Sequence, residues 1–235
     1  MVSGEQLLLI AAEPREFQGL MKFCRKVRRL DWPVHWARSA ELQGREAVLV
    51  ANGAGAARAT AAVDVVAASV ELSLICSMGY CGALTEEMPV GAIFLADRVQ
   101  TCDREYVTVR PACDRPHFTG VLASIDHVAQ TAAEKNKLRG GGASAVEMEA
   151  GGAAKRALEL GIPLCCIKSV MDLAGESLQL DFNAALRSDG RFDTMQLIAA
   201  SCRRPLSLLP ELMRLGKRSR TASRTLGEFV GDCRF

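Results

Sequence analysis

The stretch that most constrains the fold covers residues 143–176, which read ASAVEMEAGGAAKRALELGIPLCCIKSVMDLAGE. The stretch begins with a short apolar segment, which is followed by acids. A helix-favouring run over residues 150–160 comes next and ends at Gly161. Residues 164–170 then form a largely apolar run of strand length that leads to Asp172. This order predicts a strand–helix–strand unit with acids at the carboxyl ends of both strands, which is the edge where open α/β sheets bind ligands.

Similar apolar runs and turn signals divide the rest of the chain. The predicted strands cover residues 7–12, 34–37, 47–51, 72–77, 92–99 and 118–124, and the predicted helices cover residues 56–69, 130–138 and 192–201. The basic segment 22–29 is interpreted as the solvated face of a helix, and the glycine-rich segment 78–84 as a turn that ends a strand. In a chain of 235 residues, this alternation predicts one α/β domain.

The composition argues against several classes of function. The net charge of +2 and the 5% aromatic content give no support to nucleic-acid binding. Nine cysteines without a CxxC pair, and the scattered His35, His117 and His127, favour free thiols over a disulfide framework or a zinc site. We find no pattern typical of a signal peptide or a membrane span, so we expect a protein of the reducing cytoplasm.

Two motifs in the constraining stretch resemble the nucleoside phosphorylase and nucleosidase superfamily. They are VEMEA at residues 146–150 and SVMD at residues 169–172, about one helix apart. Members of that superfamily cleave the bond between ribose and a base. The resemblance implies a single three-layer α/β domain with a mixed, twisted central sheet flanked by helices. The sequence departs from the family at Met171, where the family often has serine.

The resemblance assigns roles to five residues. Asp172 would assist the departing purine, because an acid beside the base can supply or share a proton. Glu149 would hold the ribose hydroxyls, with Glu147 beside it and Met148 packed against the sugar. Glu16, in the first turn after the first strand, would orient the attacking water. Without the resemblance, the same acids are also consistent with favourable charges at helix N-termini.

Further candidate residues lie in three other segments. By resemblance, a glycine turn and its cation would form a phosphate or water pocket, a second glycine-rich segment would approach base and ribose, and one apolar residue would cover the base. These residues are Gly53, Gly55 and Arg58; Gly79, Tyr80, Cys81 and Gly82; and Val128. His127 is interpreted as a loop or surface histidine, because no spacing fixes a partner acid.

The tail departs from ordinary nucleosidases. We interpret residues 203–235 as a basic amphipathic helical extension of the catalytic domain, which covers residues 1–202. The tail is expected either to dock on the domain or to contact an anionic membrane surface. With RSDGRFD at residues 187–193 and MRLG at residues 213–216, it resembles the hopanoid-associated phosphorylases. Their implied substrate is adenosylhopane, an adenosine with a polycyclic lipid at its 5′ carbon.

The sequence therefore predicts an enzyme that cleaves a 5′-substituted adenosine and releases adenine, associated with hopanoids. The alternatives are a 5′-methylthioadenosine/S-adenosylhomocysteine nucleosidase, a purine nucleoside phosphorylase, or a non-catalytic nucleoside-binding module. The chemistry requires no metal or organic cofactor, and inorganic phosphate stays open as a co-substrate in place of water. The resemblance also implies a homo-oligomer.

Overall fold

The longest strand, β5 (Leu72–Ala83), is the axis of the sheet in this computed structural model, which describes residues 5–235. It pairs in parallel with β1 (Gln6–Ala11) and β10 (Leu164–Asp172), and antiparallel with β9 (Ala145–Glu147). Most of β5 is buried, as expected for a continuous apolar strand covered on both faces. Its parallel partners place the ends of β1, β5 and β10 at one edge of the sheet.

The described residues form ten strands and six α-helices. The other strands are β2 (Cys24–Arg29), β3 (Trp36–Leu42), β4 (Arg45–Ala51), β6 (Ile93–Gln100), β7 (Glu105–Val107) and β8 (Phe118–Ser124). The helices are α1 (Ala56–Ala67), α2 (Ala132–Gly140), α3 (Ala150–Leu160), α4 (Phe182–Ala185), α5 (Thr194–Arg203) and α6 (Pro205–Asp232). The strand order is β10-β6-β8-β9-β5-β1-β4-β3-β2, and the additional pairing of β10 with β5 closes five of these strands into a ring.

Helices cover both faces of the sheet. Successive residues of β1 point to opposite faces, so Leu8 belongs to a buried cluster with α1 and α3, whereas Leu9 belongs to a second cluster with the end of α6. Both leucines are fully buried. The result is the three-layer α/β arrangement with a mixed sheet that the sequence predicted.

Two predictions about individual segments are wrong. Residues 22–29 do not form a helix: Cys24–Arg29 is β2, an exposed edge strand antiparallel to β3. Its charged side chains suit that position, because a basic edge resists pairing with other chains. The segment 78–84 is not a turn either, since β5 continues to Ala83 through its glycines.

The last helix, α6, contributes its second half to the core. Leu226, Phe229 and Val230 are buried against the sheet. Gly227 lies directly on the chain near Gly19, where an added Cβ would be 2.0 Å from a backbone carbon. The tail thus packs closely on the segment that follows β1.

We expect Gly227→Ala to lower the melting temperature, because the new methyl group has no space between two backbones. Overpacking of this kind costs roughly 1–3 kcal/mol, and each kcal/mol corresponds to about 2–4 °C in a chain of this size. Gly216→Ala in the same helix is the matched control, since nothing lies within 4 Å of its Cβ. There, alanine should raise the stability through its better helix propensity. Equal melting temperatures for the two variants would contradict the close packing.

Candidate active site

A cavity of about 250 Å³ lies at the carboxyl ends of β1, β5 and β10. Glu16, Glu149 and Asp172 line it, although they come from three distant parts of the sequence. The fold therefore brings together the three acids that the sequence analysis selected. Carboxylates gathered in a largely apolar cavity interact with each other and with any buried cation, so their protonation must be considered together.

Glu16 is held by backbone N–H groups. It lies in a short 3₁₀ turn, Pro14–Phe17, directly after β1, and is 4% exposed. The N–H of Glu13 donates to its Oε2 at 2.8 Å, and the N–H of Tyr80 donates to its Oε1 at 3.0 Å. Burial raises the pKa of Glu16, whereas these hydrogen bonds and the charge of Lys168 oppose the rise. The carboxyl group is thus fixed in position and disposed to take up a proton.

Lys168 is a fully buried cation in β10, behind the acids. Its Nζ lies 2.8 Å from Oε2 of Glu147 and 3.1 Å from Oγ of Ser77, to which it donates. Burial by itself would raise the pKa of Glu147, but Lys168 lowers it overall. The Glu147 oxygens also accept the N–H groups of Glu149 and Ala150 at the start of α3. Glu147 therefore joins β10 to α3, and its oxygens already have partners.

Glu149 has the opposite electrostatic environment. Burial is the largest cause that raises the pKa of Glu149 to about 8, and the neighbouring charge of Glu147 is the second. The charge of Lys168 lowers this pKa in part. One of its oxygens accepts the N–H of Gly55 at 3.1 Å. At neutral pH the neutral acid is therefore the main form in the empty cavity. A group that donates hydrogen bonds, such as a ribose diol, would favour the ionised form.

Asp172 forms a buried ion pair with Lys135 of α2. The Lys135 side chain is 1% exposed, and its Nζ also donates to the carbonyl oxygens of Leu173, at 2.8 Å, and Glu176. Burial raises the pKa of Asp172, and Lys135 opposes that rise. Only one oxygen of Asp172 contacts the ammonium group. The other oxygen is free of that contact, which leaves it for a ligand in the cavity.

Two glycines of β5 provide the space that the carboxylates occupy. A Cβ at Gly79 would lie 2.7 Å from Oε1 of Glu16, and one at Gly82 would lie 2.9 Å from Oδ2 of Asp172. Gly79 also has φ +140°, a conformation that favours glycine. We predicted these glycines as an approach for base and ribose; in the structure their free space is filled by the acids.

The turn predicted as a phosphate or water pocket has its donors already engaged. The N–H of Gly53 donates to the carbonyl of Ala12, and the N–H of Ala54 donates to that of Gly190 at 2.7 Å. The third N–H, from Gly55, goes to Glu149. Arg58 points to the carbonyl of Ser188 at 2.9 Å. Each of these groups therefore has a partner within the chain.

The remaining predicted residues take varied positions around the cavity. Met148, Val128 and Cys81 line it with apolar atoms, and burial raises the pKa of the Cys81 thiol. Tyr80 lines it as well, and its hydroxyl donates to the Ser219 carbonyl of α6; burial raises its pKa to about 12. His127 is half exposed at the rim, where hydrogen bonds from its ring to Asp126 and then to Glu134 raise its pKa.

No group of three or more potential metal ligands occurs among residues 5–235. Across the same residues, no helix combines the length and the apolar character needed to cross a membrane.

Comparisons with known proteins give a partial family match and a set of similar folds. A family model described as the phosphorylase superfamily matches residues 112–192. That segment contains both VEMEA and SVMD. The match covers about a third of the chain, and this segment is similar to the phosphorylase superfamily. Comparison with curated protein sequences gives no significant match.

Solved structures of nucleosidases share the fold of this chain over almost its whole length. The 5′-methylthioadenosine/S-adenosylhomocysteine nucleosidase of Neisseria meningitidis has a TM-score of 0.74 at 16% identity, with 97% of each chain covered. The S. pneumoniae enzyme has a TM-score of 0.70 at 17% identity, covering 97% of this chain and 99% of that one. Futalosine hydrolase of Helicobacter pylori has a TM-score of 0.69 at 15% identity, covering 96% of this chain and 95% of that one.

Sequence reasoning missed both buried lysines of this site, Lys168 and Lys135. Lys168 did leave a signal, because a single lysine interrupts the apolar run LCCIKSV and so must be buried with a partner. Lys135 left none, since its helix is otherwise polar and exposed. A third missed feature is an apolar wall of the cavity, formed by Met171, Leu178, Phe182, Phe192, Leu197, Leu212 and Leu215.

The raised pKa of Glu149 predicts a pH-dependent stability. A carboxyl group whose folded pKa lies above its unfolded value stabilises the fold below the unfolded pKa, and this contribution is lost as the pH rises through about 8. Glu149→Gln cannot ionise. Its melting temperature should therefore fall less than that of the native protein between about pH 6 and about pH 9, by roughly 2–4 °C for each kcal/mol relieved.

The control for this measurement is Glu71→Gln, which changes an exposed acid and should follow the native pH dependence. Parallel pH curves for native protein and Glu149→Gln would mean that Glu149 is ionised without penalty in the cavity.

Proposed function

We propose that this protein is a nucleosidase that hydrolyses the N-glycosidic bond of a 5′-substituted adenosine and releases adenine. The observation that carries the proposal is the convergence of Glu16, Glu149 and Asp172 on one cavity, each held by a hydrogen bond or ion pair. Cleavage of this bond needs an acid near the base, a polar group at the ribose hydroxyls and a means to orient the nucleophile.

The three acids divide this work. As the C1′–N bond breaks, its electron pair moves to the purine, and Asp172 delivers a proton to a ring nitrogen. Glu149 accepts hydrogen bonds from the ribose hydroxyls and favours the positive charge that develops on the sugar. Glu16 orients a water molecule whose oxygen bonds to C1′, and it accepts the proton that the water loses. Met148 packs against the sugar.

Water is proposed as the nucleophile because the expected phosphate site has no unengaged donors. Anion binding at a glycine turn requires free N–H groups, and those of Gly53, Ala54 and Gly55 already donate within the chain. Arg58 is likewise engaged with Ser188. To reach Arg58 and the N–H of Ala54, a phosphate ion would have to displace the Ser188–Gly190 segment. Buried Glu16 would also repel an anion whenever it is ionised.

Adenine as the base is supported by the structural relatives. The Neisseria meningitidis nucleosidase was crystallised in complex with methylthio-immucillin-A, and a putative nucleosidase of Borrelia burgdorferi was crystallised bound to adenine. Both share the fold of this chain at low identity. The VEMEA and SVMD motifs extend the likeness to the site.

The 5′ substituent is proposed to be large and apolar, as in adenosylhopane. Leu178, Phe182 and Leu197 belong to the apolar wall, so the cavity offers hydrocarbon contact beyond the acids. Its volume of about 250 Å³ is small for a ligand site, since such sites typically span about 300–1,000 Å³. A polycyclic substituent would therefore extend out through the mouth, where Thr194 and Gly216 are exposed.

The decisive experiment measures adenine release from 5′-methylthioadenosine with and without phosphate. We expect release without phosphate, and a loss on the order of a hundredfold or more in Asp172→Asn, because the acid is removed while its shape is kept. Asp31→Asn, an exposed change, is the control. A 5′-alkylthioadenosine with a long chain should be cleaved with a higher kcat/KM than the methyl compound.

Other outcomes select the alternatives. Release that requires phosphate would make the protein a phosphorylase. A preference for the methyl compound would make it a 5′-methylthioadenosine/S-adenosylhomocysteine nucleosidase. Tight binding of every candidate without any release would favour a nucleoside-binding module.

Lys135 is expected to set the pH at which Asp172 can act as an acid. Its ammonium group lowers the pKa of Asp172, so Lys135→Met should raise that pKa, since burial then acts unopposed. The alkaline limb of the pH–kcat profile should move upward by roughly one pH unit or more. The control is Lys137→Met, which changes an exposed lysine of the same helix. A change in KM with an unmoved limb would contradict this role.

A further inference from the structure

The outer surface of α5 and the first half of α6 exposes an unusual number of apolar side chains. Ten large hydrophobic residues are exposed among residues 5–235, and five of them lie between positions 195 and 213. They are Met195 at 73%, Ile198 at 40%, Leu206 at 96%, Leu209 at 44% and Met213 at 70% exposure. Such a concentration marks an interaction surface, because isolated exposed residues would be spread over the chain.

The residues of α6 form one continuous stripe. Leu206, Leu209 and Met213 follow the spacing i, i+3, i+7, which places them on one face of the helix. The same spacing continues to Lys217 and Arg220, both exposed. One face of a single helix is therefore apolar at its start and cationic further on.

The sequence around this stripe carries mostly positive charge. Between positions 194 and 224 there are seven arginines and lysines and one acid, Glu211, and two of the arginines, Arg214 and Arg218, pair with Glu176. Glu211 is buried and accepts the N–H groups of Gln179 and Leu180, so it does not offset the surface charge. Exposed Arg203 and Arg204 precede the stripe. Within the described part of the chain, neither they nor Lys217 and Arg220 form an ion pair.

We propose that this face docks on an anionic membrane surface. Apolar side chains flanked by cations suit such a surface, where hydrocarbon enters the headgroup region and cations meet lipid phosphates. From its sequence, the basic tail as a whole is expected either to dock on the domain or to contact such a surface. The structure narrows the contact, because Leu226, Phe229 and Val230 are buried in the core and cannot insert.

Docking would place the cavity mouth beside the lipid. Leu212 and Leu215 of α6 line the cavity, as does Thr194 next to Met195. An apolar 5′ substituent that leaves the cavity there would enter the membrane. This consequence for the substrate rests on the proposed function, whereas the docking itself does not.

The test is flotation of the full chain with vesicles of phosphatidylcholine, with and without phosphatidylserine. We expect binding only to the anionic vesicles and a decline with added salt. The double variant Leu206→Ser, Met213→Ser and the double variant Lys217→Glu, Arg220→Glu should each weaken binding on the order of tenfold or more. The control is the double variant Val107→Ser, Leu158→Ser, which changes exposed apolar residues elsewhere.

Each variant should retain its melting temperature and its ligand binding in solution, because none of the altered residues lines the cavity. If the native protein does not float with anionic vesicles, the proposal is wrong. Binding that both patch variants retain would overturn it too. If the native chain is instead a dimer in light scattering, and Leu206→Ser, Met213→Ser makes it monomeric, a second copy covers this face. A failure of adenine release with intact flotation would count against the proposed reaction alone.

Discussion

The buried contact between Lys168 and Glu147 is the interaction on which the site depends. A lysine with no solvent exposure is costly unless an anion and further acceptors lie beside it, and here Glu147, Ser77 and the carbonyl of Met78 provide them. The lysine and its partners lie on three different strands, so these contacts hold β5, β9 and β10 together beside the cavity. Removing either charge would leave the other buried without compensation.

That pair also separates the protonation states of its neighbours. Glu147 stays ionised because it touches the cation and the first N–H groups of α3. Its negative charge then disfavours a second carboxylate nearby, and burial adds to the effect, so Glu149 titrates near 8. Asp172 has a cation of its own in Lys135. Acids of similar intrinsic strength are thus assigned different tasks by their surroundings.

A site residue could be predicted where its signal lies in a local sequence pattern, and not where it depends on a contact with a distant segment. The acids of VEMEA and SVMD, and Glu16 after the first strand, lie at strand ends, and strand ends are visible in apolar patterning. The use of Gly79 and Gly82 was not predictable, because a glycine states only that a side chain is absent and not what fills the space. At the Gly53–Gly55 turn, the N–H of Ala54 is engaged by Gly190, 136 residues away in sequence, and that of Gly55 by Glu149, and no local pattern contains these contacts. The prediction of a helix over residues 22–29 is wrong because the charged side chains of an exposed edge strand resemble those of a solvated helix face.

Helix α6 connects the chemistry to the surface. Ser223 donates to the carbonyl of Arg15 and accepts the N–H of Gly19, so this helix fixes the turn that carries Glu16. One turn earlier in α6, the carbonyl of Ser219 accepts a hydrogen bond from the Tyr80 hydroxyl, while the N–H of Tyr80 donates to Glu16 itself. A single helix of 28 residues therefore joins the carboxyl group that we assign to water with an outer face of Leu206 and Met213. Because its far half is locked in the core, contact at that outer face can occur without disturbing Glu16, and binding at a surface need not compete with turnover.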